Sequence, residues 1–248
     1  MKDYGPTTYG KLNAERYDAM YEERMVAETR DSVATLAELA GDGQVLELAI
    51  GTGRVAIPLA ARGLAVQGIE ASDEMVAQLR KKPGGGDIPV KIGDMAEARV
   101  DDTFDLIYLV FNTIFNLTTQ EAQVRCFQNA ARHLTPNGVF VVETVVPALS
   151  DFVDDQRMKG SWARMDSVRF EVAIHDPVLQ TVAFQRVVID ENGTRITPHF
   201  MRYAWPSELD LMARLAGLER RERWAWWDRS PFTSTSKSHV TVYGRADP

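Results

Sequence analysis

Residues 45–54 read Val-Leu-Glu-Leu-Ala-Ile-Gly-Thr-Gly-Arg, and no other stretch limits the possible folds as strongly. Val45, Leu46 and Leu48 form a short apolar run that reads as a strand, with Glu47 near its end. The run breaks at Gly51-Thr52-Gly53, and residues 55–62 then read as a helix. Glycine lets the backbone turn sharply and approach a ligand closely, because no Cβ intervenes. A helix starting there points its unpaired N–H groups at whatever occupies the turn. The expectation is a strand–turn–helix unit that holds something small and partly polar.

Two cofactor classes use this device. Gly51 to Ala56 fits the relaxed G-x-G-x-x-G/A pattern of dinucleotide sites, and Glu70 lies about 20 positions on, where a ribose-binding acid is expected. Glu47 separates the two classes. A carboxylate beside the turn repels a pyrophosphate but suits an amino acid's ammonium group. Glu47, the glycine turn and Glu70 together resemble the class I S-adenosylmethionine (SAM)-dependent methyltransferases, whose signature is E/D-x-G-x-G-x-G. Ala49 stands at the first glycine position, and Gly51 and Gly53 fill the other two. The resemblance implies an α/β fold with a doubly wound, mostly parallel, seven-stranded Rossmann-like sheet. It also implies SAM as cofactor, S-adenosyl-L-homocysteine as product, and no metal. Glu47, Ala49, Gly51, Gly53 and Arg54 are then expected around the cofactor.

Composition narrows the partners. A chain of 248 residues permits one large domain or a core with a sizeable insertion. Net charge is −7 with no long basic run, which argues against a nucleic-acid substrate. Arg80-Lys81-Lys82 reads instead as a helix end, where the dipole favours cations. The lone Cys126 excludes an internal disulfide and fits a reducing cytoplasm. No signal peptide and no apolar span of about 18 residues is evident. A soluble cytoplasmic protein with a small-molecule substrate and no membrane partner is expected, with homo-oligomerisation left open.

Ahead of the glycine turn the chain is rich in tyrosine: Tyr4, Tyr9, Tyr17 and Tyr21. Tyr17 and Tyr21 share a face if helical. The segment Ala-Glu-Arg-Tyr-Asp-Ala-Met-Tyr, residues 14–21, is similar to one that closes over the methionine part of SAM in many small-molecule methyltransferases. That likeness makes Tyr17 the candidate contact and lets Tyr9 reach the acceptor. Residues 23–39 read as a separate helix, with Met25, Thr29, Val33, Leu36 and Leu39 near helical spacing, stopped by Gly41-Asp42-Gly43.

Beyond the turn, residues 64–70 read as the second strand, and Ser72 or Asp73 as the cap of the next helix. In the family, the acid ending that strand accepts both ribose hydroxyls and its neighbours pack the adenine. Glu70, Ala71 and Met75 inherit those places. Residues 88–92 read as the third strand, with Pro89 suited only to its start. Gly93-Asp94-Met95 follows and resembles the family's adenine loop, in which the acid accepts the exocyclic amine. The fourth strand, residues 104–110, is mostly apolar, as burial on both faces requires. Ligands in such sheets bind beyond the strands' carboxyl ends. Val110 therefore joins the cofactor set, and Phe115 and Asn116 are expected to line the methyl-transfer site. Some similar amino-sugar N-methyltransferases place a histidine near Asn116, and none is seen there in this sequence.

Residues 120–134 read as a helix, Thr135-Pro136-Asn137-Gly138 as a turn, and residues 139–143 as the fifth strand. After Pro147 the pattern changes to three strand-like runs, residues 168–174, 179–189 and 195–203, separated by turn signals. This antiparallel meander is expected to form a small β cap, residues 147–203, over the substrate side of a SAM-binding core, residues 1–146 and 204–248. Ser207 is a plausible cap for the helix that ends at Leu215. Two further strands follow, and Trp224, Trp226 and Trp227 either line the acceptor pocket or pack the sheet edge.

Methyl transfer from a sulfonium is a displacement that positioning and desolvation can accelerate. An amine need only arrive uncharged and in line, whereas a hydroxyl usually wants a base or a metal. No metal-ligand spacing is present, and His133, His175, His199 and His239 are scattered. The expectation is an N-methyltransferase with Tyr9, Tyr17, Phe115 and Asn116 at the reacting centre. The N-terminal segment and the meander look most like those of antibiotic-pathway enzymes acting on amino sugars or lincosamide precursors. The alternatives are a small-metabolite O-methyltransferase, a nicotinamide oxidoreductase and a non-catalytic SAM-binding protein.

Overall fold

The computed structural model describes residues 4–246, apart from the side chains of residues 21–27. The expectations for Tyr21 and Met25 lie outside those described residues. Parallel strands β1 (Val45–Leu48), β2 (Val66–Glu70), β3 (Val90–Ile92), β4 (Phe104–Leu109) and β5 (Leu134–Val145) form most of one sheet. Strands β10 (Leu218–Trp224) and β11 (Ser238–Arg245) complete it in the order β10-β11-β5-β4-β1-β2-β3. Of its neighbouring pairs, only β10–β11 and β11–β5 are antiparallel. The seven-stranded, mostly parallel sheet is as expected.

The centre of the sheet is apolar on both faces because helices cover both. Leu46, Leu48, Ile107, Leu109 and Phe140 pack with α5 (Gln120–His133) and α6 (Pro206–Leu215). Val45, Leu106, Tyr108, Val141 and Val242 pack on the other side, with α2 (Tyr17–Ala40) and α3 (Ala56–Ala60). Alternate residues of one strand thus serve opposite cores, the period-two rule of strands.

Several boundaries differ from the sequence reading for identifiable reasons. The N-terminal helix α1 (Thr8–Asn13) leads through a short 3₁₀ turn into α2, so the tyrosine segment and the next helix are continuous over 24 residues. Gly41 ends α2 at φ 55°. Strand β3 starts only at Val90, because Pro89 has no N–H, although its carbonyl accepts from Gly68 at 2.9 Å. Ser72 does cap α4 (Asp73–Arg80), accepting from Met75 N at 3.3 Å. Ser207 does not cap α6: Trp205 holds that position and Pro206 takes the first turn.

A second, four-stranded antiparallel sheet runs in the order β6-β7-β8-β9. Its strands are β6 (Gln156–Ala163), β7 (Val168–Asp176), β8 (Thr181–Asp190) and β9 (Gly193–Arg202). The sequence reading missed β6, a largely exposed edge strand in which Met158 and Trp162 stand among polar and charged residues without regular apolar alternation. Among the described residues no helix is long and apolar enough to cross a membrane.

Candidate active site

The loops that follow β1 to β4 meet the N-terminal helices at the carboxyl ends of the parallel strands. Their inner cleft is lined by Ala49, Gly51, Glu70, Ala71, Met75, Asp94 and Met95, with Tyr9, Tyr17, Thr113 and Asn116 across from them. The backbone here is unusual. Ala49, Phe111 and Asn112 all have positive φ, 56°, 59° and 61°, where a side chain is strained. Ala49 thus fills a position whose geometry favours glycine.

Glu70 is tied on both oxygens: Oε2 accepts from Gly51 N at 2.8 Å and Oε1 from Ser72 N at 2.9 Å. Each oxygen retains a second lone pair, so the carboxylate can still accept two hydroxyl donors. Burial holds its pKa above the ordinary value, and the Ser72, Gly51 and Ala71 amides oppose that. Asp94 Oδ1 accepts from Ala96 N at 2.8 Å, which fixes the carboxylate in the loop after β3. Aliphatic Met75 and Met95 beside these acids provide a surface for a planar base. The residues present therefore fit an adenosine.

A narrower recess continues from the cleft and is lined by Glu47, Arg54, Val110 and Phe111, again with Tyr17, Ala49, Gly51 and Thr113. Glu47 is buried at 5% exposure and accepts from the Tyr108 hydroxyl at 2.8 Å. Burial pushes its pKa up to about 8, against the pull of that hydrogen bond and of Arg54. The Arg54 guanidinium lies 3.2 Å from the centre of the Phe111 ring and donates to Thr29 Oγ1.

An outer cavity of about 510 Å³ lies beyond, between the main sheet and the four-stranded one. Tyr9, Tyr17, Thr113 and Asn116 line both it and the inner cleft, and Tyr17 and Thr113 border all three spaces. Glu143, at the carboxyl end of β5, lines the outer cavity at 3% exposure. Its Oε2 accepts from Phe111 N at 2.8 Å, and burial raises its pKa to about 7. His199 from β9 also lines the cavity, 3.1 Å from Asn116 Oδ1 and packed on Tyr9 and Phe184. Burial lowers its pKa to about 4, so the ring is neutral near neutrality.

Two expected site residues lie elsewhere. Phe115 is 1% exposed, packs in the core beneath the cleft and lines none of these three spaces. Gly53 also lines none of them. At φ +78°, its Cβ would stand 2.2 Å from Leu79 Cδ1, so the glycine serves close packing between turn and helix. Of the tryptophans, Trp224 and Trp227 belong to the core and Trp226 lines the outer cavity. His133, His175 and His239 are held by Asn129, by Asp155 and Tyr203, and by Thr144 and Thr241 respectively.

Sequence reasoning missed four contributors: Asp18, Thr113, Glu143 and His199. Asp18 accepts from Thr52 Oγ1 at 2.7 Å and pairs with Lys82 at 2.7 Å, fastening α2 to the glycine turn. Its signal was present, as the acid beside Tyr17. His199 had none, because it reaches Asn116 only through the folding of the second sheet.

Known proteins resemble this arrangement. A family model described as "Methyltransferase domain" matches residues 45–138, which run from the start of β1 into the first residues of β5. The solved CcbJ methyltransferase from Streptomyces caelestis is 37% identical, with a TM-score of 0.90 over 98% of this chain and 100% of that one. The cypemycin N-terminal methyltransferase of a Streptomyces species is 29% identical over 97% of this chain and 98% of its own length. The dTDP-4-amino-2,3,4,6-tetradeoxy-D-glucose N,N-dimethyltransferase of Saccharopolyspora spinosa is 31% identical over 55% of this chain and 56% of its own. The fold, the acid-and-glycine turn and the full-length likeness at 37% identity agree, and the chain belongs to the class I SAM-dependent methyltransferases.

Proposed function

We propose that this enzyme transfers the methyl group of SAM to an amine nitrogen of a small antibiotic precursor, a lincosamide or an amino sugar. One observation carries the reading: the large outer cavity meets both inner spaces at Tyr17 and Thr113, so an acceptor there faces the cofactor's reactive end. The names of the cypemycin and amino-sugar relatives, both N-methylating enzymes, support nitrogen as the acceptor atom.

SAM supplies an electrophilic methyl group on a positively charged sulfur. Glu70 would hold the ribose hydroxyls, with Ala71, Met75, Asp94 and Met95 around the adenine. Glu47, Ala49, Gly51, Arg54 and Val110 would surround the methionine end, whose ammonium would favour the ionised form of Glu47 and pair with it. Tyr17 would close over that end, and Tyr9 and Asn116 would orient the acceptor. Residues 1–146 and 204–248 form the SAM-binding core in this reading, and residues 147–203 the cap. Phe184, His199 and Met201 from the second sheet line the outer cavity, which supports that division. A cytoplasmic setting fits the buried free thiol of Cys126.

The test is mass spectrometry with SAM and a free-amine lincosamide precursor beside its N-blocked analogue. Methylation of the free amine alone is expected. Methylation of both would make the enzyme an O-methyltransferase. No product, with S-adenosylhomocysteine still bound, would discard the acceptor class.

A further inference from the structure

The outer cavity contains a buried carboxylate with one oxygen in use. Glu143 Oε2 holds the Phe111 amide at 2.8 Å, and Oε1 makes no hydrogen bond among the described residues. Phe111 belongs to the wall shared by the recess and the outer cavity, so Glu143 sits one hydrogen bond from the boundary at which the methyl group must cross. Glu28 on α2 lines the same cavity and places a second carboxylate there.

We infer that Glu143 binds the acceptor's ammonium in the outer cavity and removes the proton that must leave before nitrogen can attack. This rests on the amine reading above. An ammonium has no lone pair. The proton passes from nitrogen to Glu143 Oε1, leaving a neutral amine and a neutral carboxylic acid. The amine's lone pair then forms the N–C bond as the S–C bond breaks, with that bond's electrons remaining on sulfur. The acid afterwards releases its proton to water, and Glu28 favours capture of the cationic acceptor.

The charged surroundings fit this task. Burial and Glu28 raise the Glu143 pKa to about 7, while Arg54 and the Phe111 amide oppose the rise. Lys237, Arg186 and His199 also face the cavity, His199 as a neutral ring. A carboxyl group titrating near neutrality is a better proton acceptor than an ordinary surface carboxylate. His199, its pKa lowered to about 4, is a poorer one.

The experiment uses the free-amine lincosamide precursor with native enzyme, Glu143→Gln and Glu28→Gln. Glutamine can still accept the Phe111 amide, so the fold is expected to survive. At about pH 7, Glu143→Gln should lower kcat/KM by about 10²-fold or more, as expected for loss of a general base. The deficit should shrink to within about threefold near pH 9.5, where amines of ordinary pKa lose their proton to water. Calorimetry of precursor binding to the S-adenosylhomocysteine complex supplies a readout apart from turnover. Near pH 7 Glu143 is about half protonated and must shed that proton to meet the ammonium, so native enzyme should release a fraction of a proton on binding and the variant none. Profiles that run parallel at every pH would overturn the assignment, as would weaker S-adenosylhomocysteine binding with an unchanged acceptor profile. If Glu143→Gln fails to fold, Glu28→Gln decides: the acidic limb should move to lower pH, and an unmoved limb overturns the inference. A native enzyme that methylates no amine fails the amine reading itself, and the inference falls with it.

Discussion

The His199 ring lies 3.1 Å from Asn116 Oδ1, although 83 residues separate them in the chain. One belongs to the second sheet and the other to the loop after β4, so this contact joins the two sheets across the outer cavity. Because Asn116 Oδ1 accepts, His199 Nε2 must carry the proton. Asn116→Ala and His199→Ala should each reduce turnover about tenfold while S-adenosylhomocysteine affinity stays within about threefold, a loss of orientation rather than cofactor binding. The reverse pattern, measured by steady-state kinetics and calorimetry, would move the pair to the cofactor side.

Stability should also depend on that ring. Burial lowers the pKa of His199 to about 4 and of His239 to about 3, below the unfolded value of about 6.5. Between those values the unfolded chain binds more protons, so stability falls as pH drops from about 6.5 towards 4, and further towards 3 for His239. Thermal melts of His199→Gln should show a shallower fall across the upper window. An unchanged slope would mean that the ring titrates normally.

Glu70→Ala should weaken S-adenosylhomocysteine binding at least tenfold, about 1.4 kcal/mol, if the ribose rests on this carboxylate. It should also lower stability by about 1–3 kcal/mol, because the Gly51 and Ser72 amides lose their acceptor. Calorimetry and melting together separate the two effects, and unchanged affinity would remove Glu70 from the cofactor set.

Glu47 carries an opposite pH signature from the histidines. Its pKa of about 8 exceeds the unfolded value, so the folded state binds more protons between about pH 4.5 and 8 and stability declines as pH rises through that window. Glu47→Gln should make the decline shallower, most clearly above about pH 7 where Glu143 no longer contributes, and raise Tm near pH 8, yet weaken S-adenosylhomocysteine binding by removing the carboxylate that meets its ammonium. Tighter binding by the variant would assign Glu47 a purely structural bond with Tyr108.

Much of this site was legible because its elements are local. The run from Val45 to Arg54 carries its own strand, turn and helix signals, and Glu70, Asp94 and their neighbours follow strands whose apolar runs can be read directly. What stayed hidden depends on strands distant in sequence. Glu143 looked like the end of a strand, and only the parallel pairing of β4 with β5 brings it to the Phe111 amide. Strand β6 hid because an exposed edge needs no apolar alternation. Phe115 and Gly53, expected at the site, line none of its three spaces for a common reason: a motif position fixes the backbone path without saying whether the residue meets ligand or core.

The two glycines of the turn allow that last distinction to be measured. Both have positive φ, +57° at Gly51 and +78° at Gly53, so alanine at either costs roughly 1–2 kcal/mol in backbone strain. At Gly53 the added Cβ also meets Leu79 at 2.2 Å, and overpacking of this kind costs about 1–3 kcal/mol more. At Gly51 the nearest atom to such a Cβ is the Ala49 carbonyl oxygen at 3.9 Å, and Gly51 lines the inner cleft proposed for the cofactor, so the methyl group would take up room there. Gly53→Ala should therefore show the larger fall in Tm, at about 2–4 °C per kcal/mol for a chain of this size, with near-native affinity in the folded fraction. Gly51→Ala should melt closer to the native enzyme and bind S-adenosylhomocysteine at least tenfold more weakly. Equal losses of affinity in both variants would put Gly53 back against the ligand.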